Sequence, residues 1–206
     1  GGWATAGALS LLGLAAAQDF LRPGIVHGHD LHYHLWSVYS SWRSVLDGDL
    51  WPRWNPYLNL GIPLFEFYGP VNYVLAWPLA ALGASPVAAL KGVVVLGSIG
   101  AAASAYGASR WTGRSRAASL LAAAALALAP YRLQDQTQRM ALGELLGLTL
   151  LPLLLAAAWK VARGERGRAP WVLGAVTATL LLTHVLTVLM AAMVGLVPVL
   201  ITLSSG

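Results

Sequence analysis

The residues of this chain that could do chemistry are concentrated in residues 24–70. This stretch holds four of the five histidines and four of the eight acidic residues, whereas most of the remaining sequence is Ala, Leu, Gly and Val in long apolar runs. Its densest part is the run His-Gly-His-Asp-Leu-His-Tyr-His at 27–34. Ionisable groups placed between apolar segments are costly, so they indicate a functional site.

His29, Asp30 and His34 form the first candidate site. On a helix that begins near Asp30, its carboxylate and the imidazole of His34 share one face, because residues four apart are neighbours on a helix. Imidazole and carboxylate together suit Zn, Mn or Fe. Alternatively, Asp30 only caps the helix and the histidines are solvated loop residues. The loop interpretation is favoured for each histidine alone, whereas the position of Asp30, where a loop meets an apolar helix, favours a function.

Two further acids and two basic groups lie later in the chain. Asp135 lies in residues 131–139, which are predicted to form a polar loop, and Glu144 lies one turn into the following apolar segment. A carboxylate at membrane depth indicates function, although the helix dipole alone also favours an acid near a helix N-terminus. Arg139 could pair with Glu144 or hold a phosphate with two hydrogen bonds. His184 ends an apolar run, where it either caps the helix at the interface or lines the same site.

The segment 47–56 combines turn residues with aromatic residues. Asp47-Gly48-Asp49 predicts a tight turn, and the tryptophans that follow predict anchoring at a membrane interface. Arg53 and Asn55 are candidates to contact a substrate headgroup. Glu66, between two phenylalanines, is a weaker candidate.

The composition indicates a membrane protein. The chain is 57% hydrophobic and 10% charged, whereas a soluble domain has about 25% charged residues. Its apolar runs approach the roughly 20 residues that cross a bilayer as a helix, and they recur along the whole length, which excludes a signal peptide as their explanation. Cysteine is absent, which excludes disulfides and thiolate sites. The net charge of +5 falls largely in two short loops, a pattern of membrane topology rather than of nucleic-acid binding.

The sequence therefore predicts an all-α, polytopic transmembrane helical bundle of about six spans, with a long first extracytoplasmic loop that contains juxtamembrane helices. The first span covers residues 1–19, the outer loop and juxtamembrane segment cover residues 20–85, and further spans cover residues 86–206. Because of its prolines, the part from 24 to 63 is expected to hold short helices at most. The apolar segment 64–82, broken by Pro70 and Pro78, is expected not to cross the membrane. The missing initial Met indicates a fragment of a longer protein.

Two short basic loops predict the orientation, because such loops stay in the cytoplasm. The first contains Arg110, Arg114 and Arg116, and the second contains Lys160, Arg163, Arg166 and Arg168. The remaining ionisable groups are then expected on the extracytoplasmic face, where they could share one cavity. They comprise residues 24–70, Lys91, residues 131–144 and His184.

The order of these features resembles a known family. His29-Asp30 and nearby His34 are followed by Gly-Asp-Leu-Trp-Pro-Arg-Trp-Asn-Pro at 48–56, Gly-Ile-Pro at 61–63, Phe-Tyr-Gly-Pro at 67–70, Ala-Pro-Tyr-Arg at 129–132, Arg-Met-Ala-Leu-Gly-Glu at 139–144 and Leu-Leu-Thr-His at 181–184. In combination, over essentially the whole chain, these motifs resemble the N-terminal half of bacterial GT-C-type membrane glycosyltransferases. Within that group the chain is most similar to the family that carries the pyruvoyl-tetrahydropterin-synthase-related membrane domain.

The resemblance implies an enzyme of the bacterial inner membrane that transfers a sugar from a polyprenyl-phosphate-linked donor to an extracytoplasmic acceptor. Asp30 matches the position of the acid that acts as catalytic base or helps to hold a metal, and Asp135 or Glu144 could match a second acid. The sequence has His-Asp where many members have two acids, so metal use stays open. A divalent ion (Mn, Mg or Zn) would be held by His29, Asp30 and His34.

Several other side chains are expected to bind the substrate of such an enzyme. They are His29, His34, Arg53, Asn55, Lys91, Arg132, Arg139 and His184. Lys91, Arg132, Arg139 and His184 would stabilise the leaving lipid phosphate, and the lipid chain would lie beside the segment 64–82.

Two other functions fit the same sequence. A non-catalytic transporter or flippase of lipid-linked sugars would need charged groups near the bilayer midplane, often at broken helices. A metal-binding membrane module would use the four clustered histidines. The expected partners of the chain are a polyprenyl-phosphate-linked sugar and membrane lipid, and no nucleic acid is expected.

Overall fold

Helices make up most of the chain. The computed structural model describes the backbone of residues 2–204 and the side chains of residues 2–195. The α-helices are α1 (Gly2–Ala16), α2 (Leu31–Leu46), α3 (Val71–Val74), α4 (Trp77–Ala81), α5 (Pro86–Trp111), α6 (Arg116–Ala127), α7 (Pro130–Gln134), α8 (Leu142–Ala162), α9 (Ala169–Leu181) and α10 (Val185–Ser204). A 3-10 helix covers Gln18–Leu21, and a π-helical turn covers Asp135–Arg139. Two short strands, β1 (Trp54–Asn55) and β2 (Ile62–Pro63), pair antiparallel.

Within the part of the chain that the structure describes, three helical stretches are long and apolar enough to cross a membrane. They are Pro86–Trp111, Arg116–Arg139 and Leu142–Ala162, with 26, 24 and 21 residues. The second stretch comprises α6, α7 and the π-turn, and it is interrupted at residues 128–129. Shorter apolar helices cover Gly2–Ala16, Val71–Ala81, Ala169–Leu181 and Val185–Gly195. The prediction of a helical membrane protein is thus supported, with three of its spans meeting the length and composition of a crossing helix.

Helix α5 lies at the centre of the bundle and packs against α1, α6 and α8. Most of its buried residues are small, which lets neighbouring backbones approach closely. Gly13 of α1 lies so near α5 that a Cβ atom there would sit 2.4 Å from the Cα of Ile99. At Gly147 of α8, a Cβ atom would sit 2.5 Å from the hydroxyl of Thr187 in α10. Small residues therefore set the spacing of the helices that support the polar end of the bundle.

The segment between α1 and α5 holds a longer helix than the sequence suggests. Helix α2 has 16 residues, so the expectation of short helices at most in residues 24–63 is wrong. That expectation rested on prolines 52, 56 and 63, which all follow α2, while residues 31–46 contain neither proline nor glycine. Helix α2 is amphipathic and packs its apolar face against α5.

The structure adds detail on two other segments, and the first of them differs from its prediction. Residues 131–139, predicted as a polar loop, are helical through α7 and the π-turn. The segment 64–82 forms only α3 and α4, of four and five residues. Neither helix approaches the roughly 20 residues that a crossing requires. Both segments lie next to the first turn of α8, where the polar side chains meet.

Candidate functional site

The candidate site begins with a backbone clamp between two distant parts of the chain. The amide of His29 donates to the carbonyl of Gln138 at 3.1 Å, and the amide of Asp30 donates to the carbonyl of Arg139 at 2.9 Å. Gly28 makes this approach possible, because a Cβ atom there would lie 2.5 Å from the Cβ of Met140. The clamp places the start of α2 directly against the π-turn.

The carboxylate of Asp30 does not serve as a helix cap. Asp30 occupies the N-cap position of α2, but its side chain accepts no hydrogen bond from the helix. It accepts one instead from the hydroxyl of Tyr68, with 2.7 Å between the two oxygens. Burial, followed by this hydrogen bond and the Asp30 charge, raises the pKa of Tyr68, so the phenol stays protonated as a donor. The capping interpretation of Asp30 is therefore wrong.

His34 is fully buried and packs against Tyr68, the residue that donates a hydrogen bond to the Asp30 carboxylate. Its Nε2 accepts from the backbone amide of Leu142 at 3.3 Å, and its Nδ1 lies 3.1 Å from the hydroxyl of Tyr73. Since Nε2 accepts, the neutral ring carries its proton on Nδ1. The ring packs edge-on against Tyr68 with 4.6 Å between centroids. Burial lowers the pKa of His34 to about 4, although the Asp30 charge opposes this shift.

Arg139 joins the two later acids. One guanidinium nitrogen lies 2.8 Å from a carboxylate oxygen of Glu144 and 3.1 Å from one of Asp135. The same nitrogen donates to the hydroxyl of Tyr131, which itself donates to the other carboxylate oxygen of Glu144. The arginine side chain remains 45% exposed, so a ligand in the adjacent cavity can reach it.

The π-turn explains why Asp135 and Arg139 lie together. Met140 follows the turn with a φ of 57°, a left-handed conformation that is uncommon for a residue other than glycine. Its amide donates to the carbonyl of Asp135 at 2.7 Å and closes the turn. The Asp135 side chain is buried, and neither carboxylate oxygen accepts a hydrogen bond of good geometry. Strained backbone and an unsatisfied buried carboxylate are features of functional sites.

A cavity of about 770 Å³ opens beside these groups. Arg139, Glu144 and His184 line it, together with Tyr68, the hydrogen-bond partner of Asp30. Its other lining residues are mostly apolar and come from α2, from the region after β1, and from the end of α9 and the start of α10. They are Tyr33, Asn59, Ile62, Phe65, Glu66, Phe67, Gly69, Leu181, Thr183, Val185, Leu186 and Met190. The cavity thus combines an ionisable wall with an apolar wall.

His184 enters the cavity from the connection between α9 and α10. Its Nδ1 lies 2.8 Å from the hydroxyl of Thr187, and burial lowers its pKa. The preceding carbonyl, of Thr183, accepts from the side chain of Asn72 at 2.9 Å. Gly69 lies so close to this connection that a Cβ atom there would overlap the carbonyl oxygen of Leu182. These contacts join the Phe-Tyr-Gly-Pro and Leu-Leu-Thr-His motifs at one wall.

Of the predicted site residues, Arg139, Glu144 and His184 line the cavity. Asp30 and Asp135 contact the lining residues Tyr68 and Arg139 but do not line it themselves, and the fully buried His34 does not line it either. Arg132, by contrast, is 1% exposed and does not line the cavity. Its guanidinium donates to the carbonyls of Leu145 and Gly97 and to the hydroxyl of Thr149, which ties α7 to α5 and α8.

Four other predicted residues also lie apart from the cavity lining. Lys91 donates to the carbonyls of Arg22 and Gly24 beside a separate groove. Arg53 and His29 are exposed, while Asn55 is buried and accepts from the amide of Tyr57. Their predicted contacts with a substrate have no counterpart in the cavity.

The residues predicted to hold a metal do not form a ligand set. His29 points away as an exposed side chain, and both ring nitrogens of His34 have hydrogen-bond partners. Among the residues that the structure describes, no group of three or more His, Asp or Glu side chains is placed to hold an ion.

Sequence reasoning did not single out the tyrosines of the site. Tyr68 and Tyr131 each donate a hydrogen bond to an acid that was singled out. Both lie within quoted motifs, Phe-Tyr-Gly-Pro and Ala-Pro-Tyr-Arg, which was the only signal available.

Comparison of the chain with protein-family models, curated proteins and solved structures finds no match.

Proposed function

We propose that this chain is part of a GT-C-like membrane glycosyltransferase that uses a polyprenyl-phosphate-linked sugar as donor. One observation carries the proposal: the clamp between residues 28–30 and 138–139 brings Asp30, whose partner Tyr68 lines the cavity, next to the turn that supplies Arg139, which lines the cavity with Glu144. A proton acceptor beside a cavity that a cation lines is what a glycosyl transfer to a hydroxyl group requires. The sequence resemblance implies the same reaction class.

Asp30 acts as the general base in this proposal. Tyr68 engages one of its carboxylate oxygens at 2.7 Å, which leaves the other oxygen to accept a proton. Asp30 takes the proton of an acceptor hydroxyl group while the oxygen of that hydroxyl group bonds to the anomeric carbon of the sugar. The bond from this carbon to the phosphate oxygen breaks through an oxocarbenium-like state, as in other glycosyl chemistry.

Arg139 receives the leaving phosphate. Its guanidinium is shared between Asp135 and Glu144, so the free protein holds the cation in place before the donor arrives. A phosphate monoester leaves with added negative charge, and a fixed guanidinium stabilises that charge with two parallel hydrogen bonds. Glu144 keeps its hydrogen bonds from Tyr131 and Arg139, and the remaining N–H groups of the guanidinium donate to the phosphate.

The apolar wall suits the lipid part of the donor. Phe67 is 74% exposed and Met190 is 63% exposed, although both line a cavity that also contains charged groups. An amphipathic ligand contacts both walls of the cavity, with its phosphate bound to Arg139 and its hydrocarbon chain packed along α10. The arrangement of six spans, with this cavity on the extracytoplasmic side of the inner membrane, belongs to the same proposal.

The test is a transfer assay with membranes that contain the protein and radiolabelled polyprenyl-phosphate mannose, glucose or arabinose. Asp30→Asn removes the base, and we expect the transfer rate to fall by about 100- to 10,000-fold. Asp47→Asn is the matched control, because Asp47 is an exposed acid in the turn after α2. Full activity of a folded Asp30→Asn protein would remove Asp30 as the base.

One observation favours transport as the second candidate function. The candidate span Arg116–Arg139 is broken before α7, and it carries the buried, unsatisfied Asp135. Broken helices with buried charges are typical of transporters. Proteoliposomes with a fluorescent lipid-linked sugar separate the two functions: a transporter would keep its flipping rate in Asp30→Asn and lose it in Asp135→Asn, without any sugar transfer.

A further inference from the structure

A second groove shares no lining residue with the first cavity. Its volume is about 700 Å³. It is formed where the connection after α1 and helix α4 flank the first turns of α5. Its lining residues are Phe20, Leu21, Arg22, Pro23, Gly24, Leu79, Ser85, Val87, Ala88, Lys91, Gly92, Val95 and Leu96.

The rim of this groove is cationic. The amine of Lys91 donates to the carbonyls of Arg22 and Gly24, the latter at 3.0 Å, and an ammonium has a third proton to donate. The side chain of Arg22 is 74% exposed, and among the described residues it pairs with Asp19 at 3.3 Å. An ion pair this exposed is weak, so the guanidinium can turn to a ligand. The N-terminus of α5, capped by Ser85, adds a dipole that also favours an anion.

The floor of the groove is apolar and continues along a candidate span. Leu79 of α4 packs over Gly92, where a Cβ atom would lie 2.5 Å from a methyl carbon of Leu79. Val95 and Leu96 continue the floor along α5 beyond Lys91. The Lys91 side chain reaches back from within the helix toward its start, as basic side chains do near a membrane interface. Charge lies at the outer end of the groove and apolar surface at the inner end.

We propose that this groove binds one anionic phospholipid, with the phosphate at Arg22 and Lys91 and an acyl chain along Leu79, Val95 and Leu96. This site is separate from the proposed transferase site and does not depend on it. A soluble phosphate ester would use the cationic rim but not the apolar floor, whereas a zwitterionic lipid would lack the net charge that the rim favours.

The test uses purified full-length chain in nanodiscs of phosphatidylcholine with or without phosphatidylglycerol, with retained lipids counted by native mass spectrometry. We expect one phosphatidylglycerol to be retained preferentially. Arg22→Gln should bind it about fivefold more weakly, as expected for the loss of one basic residue near an anionic headgroup. Arg43→Gln is the matched control, since Arg43 is an exposed arginine of α2 that does not line the groove.

A second variant distinguishes a loss of lipid binding from a folding defect. Ala88 is exposed in the first turn of α5, where an acidic side chain is favourable for the helix. Ala88→Glu should therefore fold and lose phosphatidylglycerol, because it places a like charge beside the phosphate. Unchanged retention in both Arg22→Gln and Ala88→Glu would overturn the proposal. So would an equal loss in Arg43→Gln, or displacement of the lipid by millimolar inorganic phosphate.

Discussion

Replacing Gly28 with alanine tests the clamp on which the site depends. The added Cβ atom would lie 2.5 Å from the Cβ of Met140 and 3.3 Å from its backbone nitrogen. Met140 cannot move away easily, because it is 1% exposed and is held in a left-handed conformation by its bond to Asp135. The segment 28–30 must therefore shift away from the π-turn.

The size of the effect follows from the contacts that this shift disturbs. Overpacking a buried contact costs about 1–3 kcal/mol. The shift also weakens the two backbone hydrogen bonds of His29 and Asp30, each worth about 1 kcal/mol. We expect Gly28→Ala to destabilise the protein by about 3 kcal/mol, which lowers the melting temperature by roughly 6–12 °C. Local opening of the clamp should become about a hundredfold more frequent.

Thermal unfolding in detergent and hydrogen exchange of the His29 and Asp30 amides measure these two effects. Gly107→Ala is the control, because Gly107 lies in α5 with open space around its would-be Cβ atom. That variant should be unchanged or more stable by about 0.5–1 kcal/mol. Gly28→Ala could melt at the same temperature as the wild type, with its Asp30 amide equally protected from hydrogen exchange. In that case the segments 28–30 and 138–139 are not held together, and the argument that they form one site fails.

Three further predictions concern single side chains. Burial lowers the pKa of His34 to about 4 from 6.5, so between these pH values the unfolded chain binds more protons than the folded one, and stability falls by up to about 3 kcal/mol as pH drops from 6.5 to 4. His34→Gln should remove this pH dependence of stability in thermal scans. An unchanged pH dependence in the variant would show that another group causes it. Arg132→Ala removes three hydrogen bonds of a buried side chain that joins α7 to α5 and α8, and it should cost about 2–4 kcal/mol. Arg43→Ala, by contrast, should melt as the wild type, and equal melting of all three proteins would refute the role of Arg132. Arg139→Gln should slow sugar transfer by about 100- to 1,000-fold, and a rate within twofold of wild type would exclude it as the phosphate-binding group.

The apolar helices could be predicted from the sequence because their signals are local. Pro86 at the start of α5 and the basic residues beyond α5 and α8 mark their ends. Helix α2 was underestimated because proline breaks only the helix that contains it, and the prolines of this segment all follow residue 46. The π-turn has no recognised sequence pattern, since its geometry depends on the left-handed Met140 and on the clamp to residues 28–30.

The candidate site was predictable in its acids but not in their partners. Asp30 and Glu144 stand out because acids are rare in this chain. Their hydrogen bonds from Tyr68 and Tyr131 depend on contacts 38 and 13 residues apart, which no local pattern encodes. Arg132 and Lys91 looked like phosphate ligands because a basic residue in an apolar chain suggests function. In the structure, neither lines the cavity of the candidate site: Arg132 donates to the carbonyl of Leu145 at a helix junction, and Lys91 lines the second groove.

The most direct test of the central claim is the sidedness of the site, and it needs no knowledge of the substrate. The chain has no cysteine, so single cysteines at the exposed positions His27 and Arg114 can be labelled individually with a membrane-impermeant maleimide in intact cells. We predict that His27→Cys is labelled directly and that Arg114→Cys is labelled only after permeabilisation. Labelling of both positions from the same side would contradict an extracytoplasmic cavity and the transferase proposal with it.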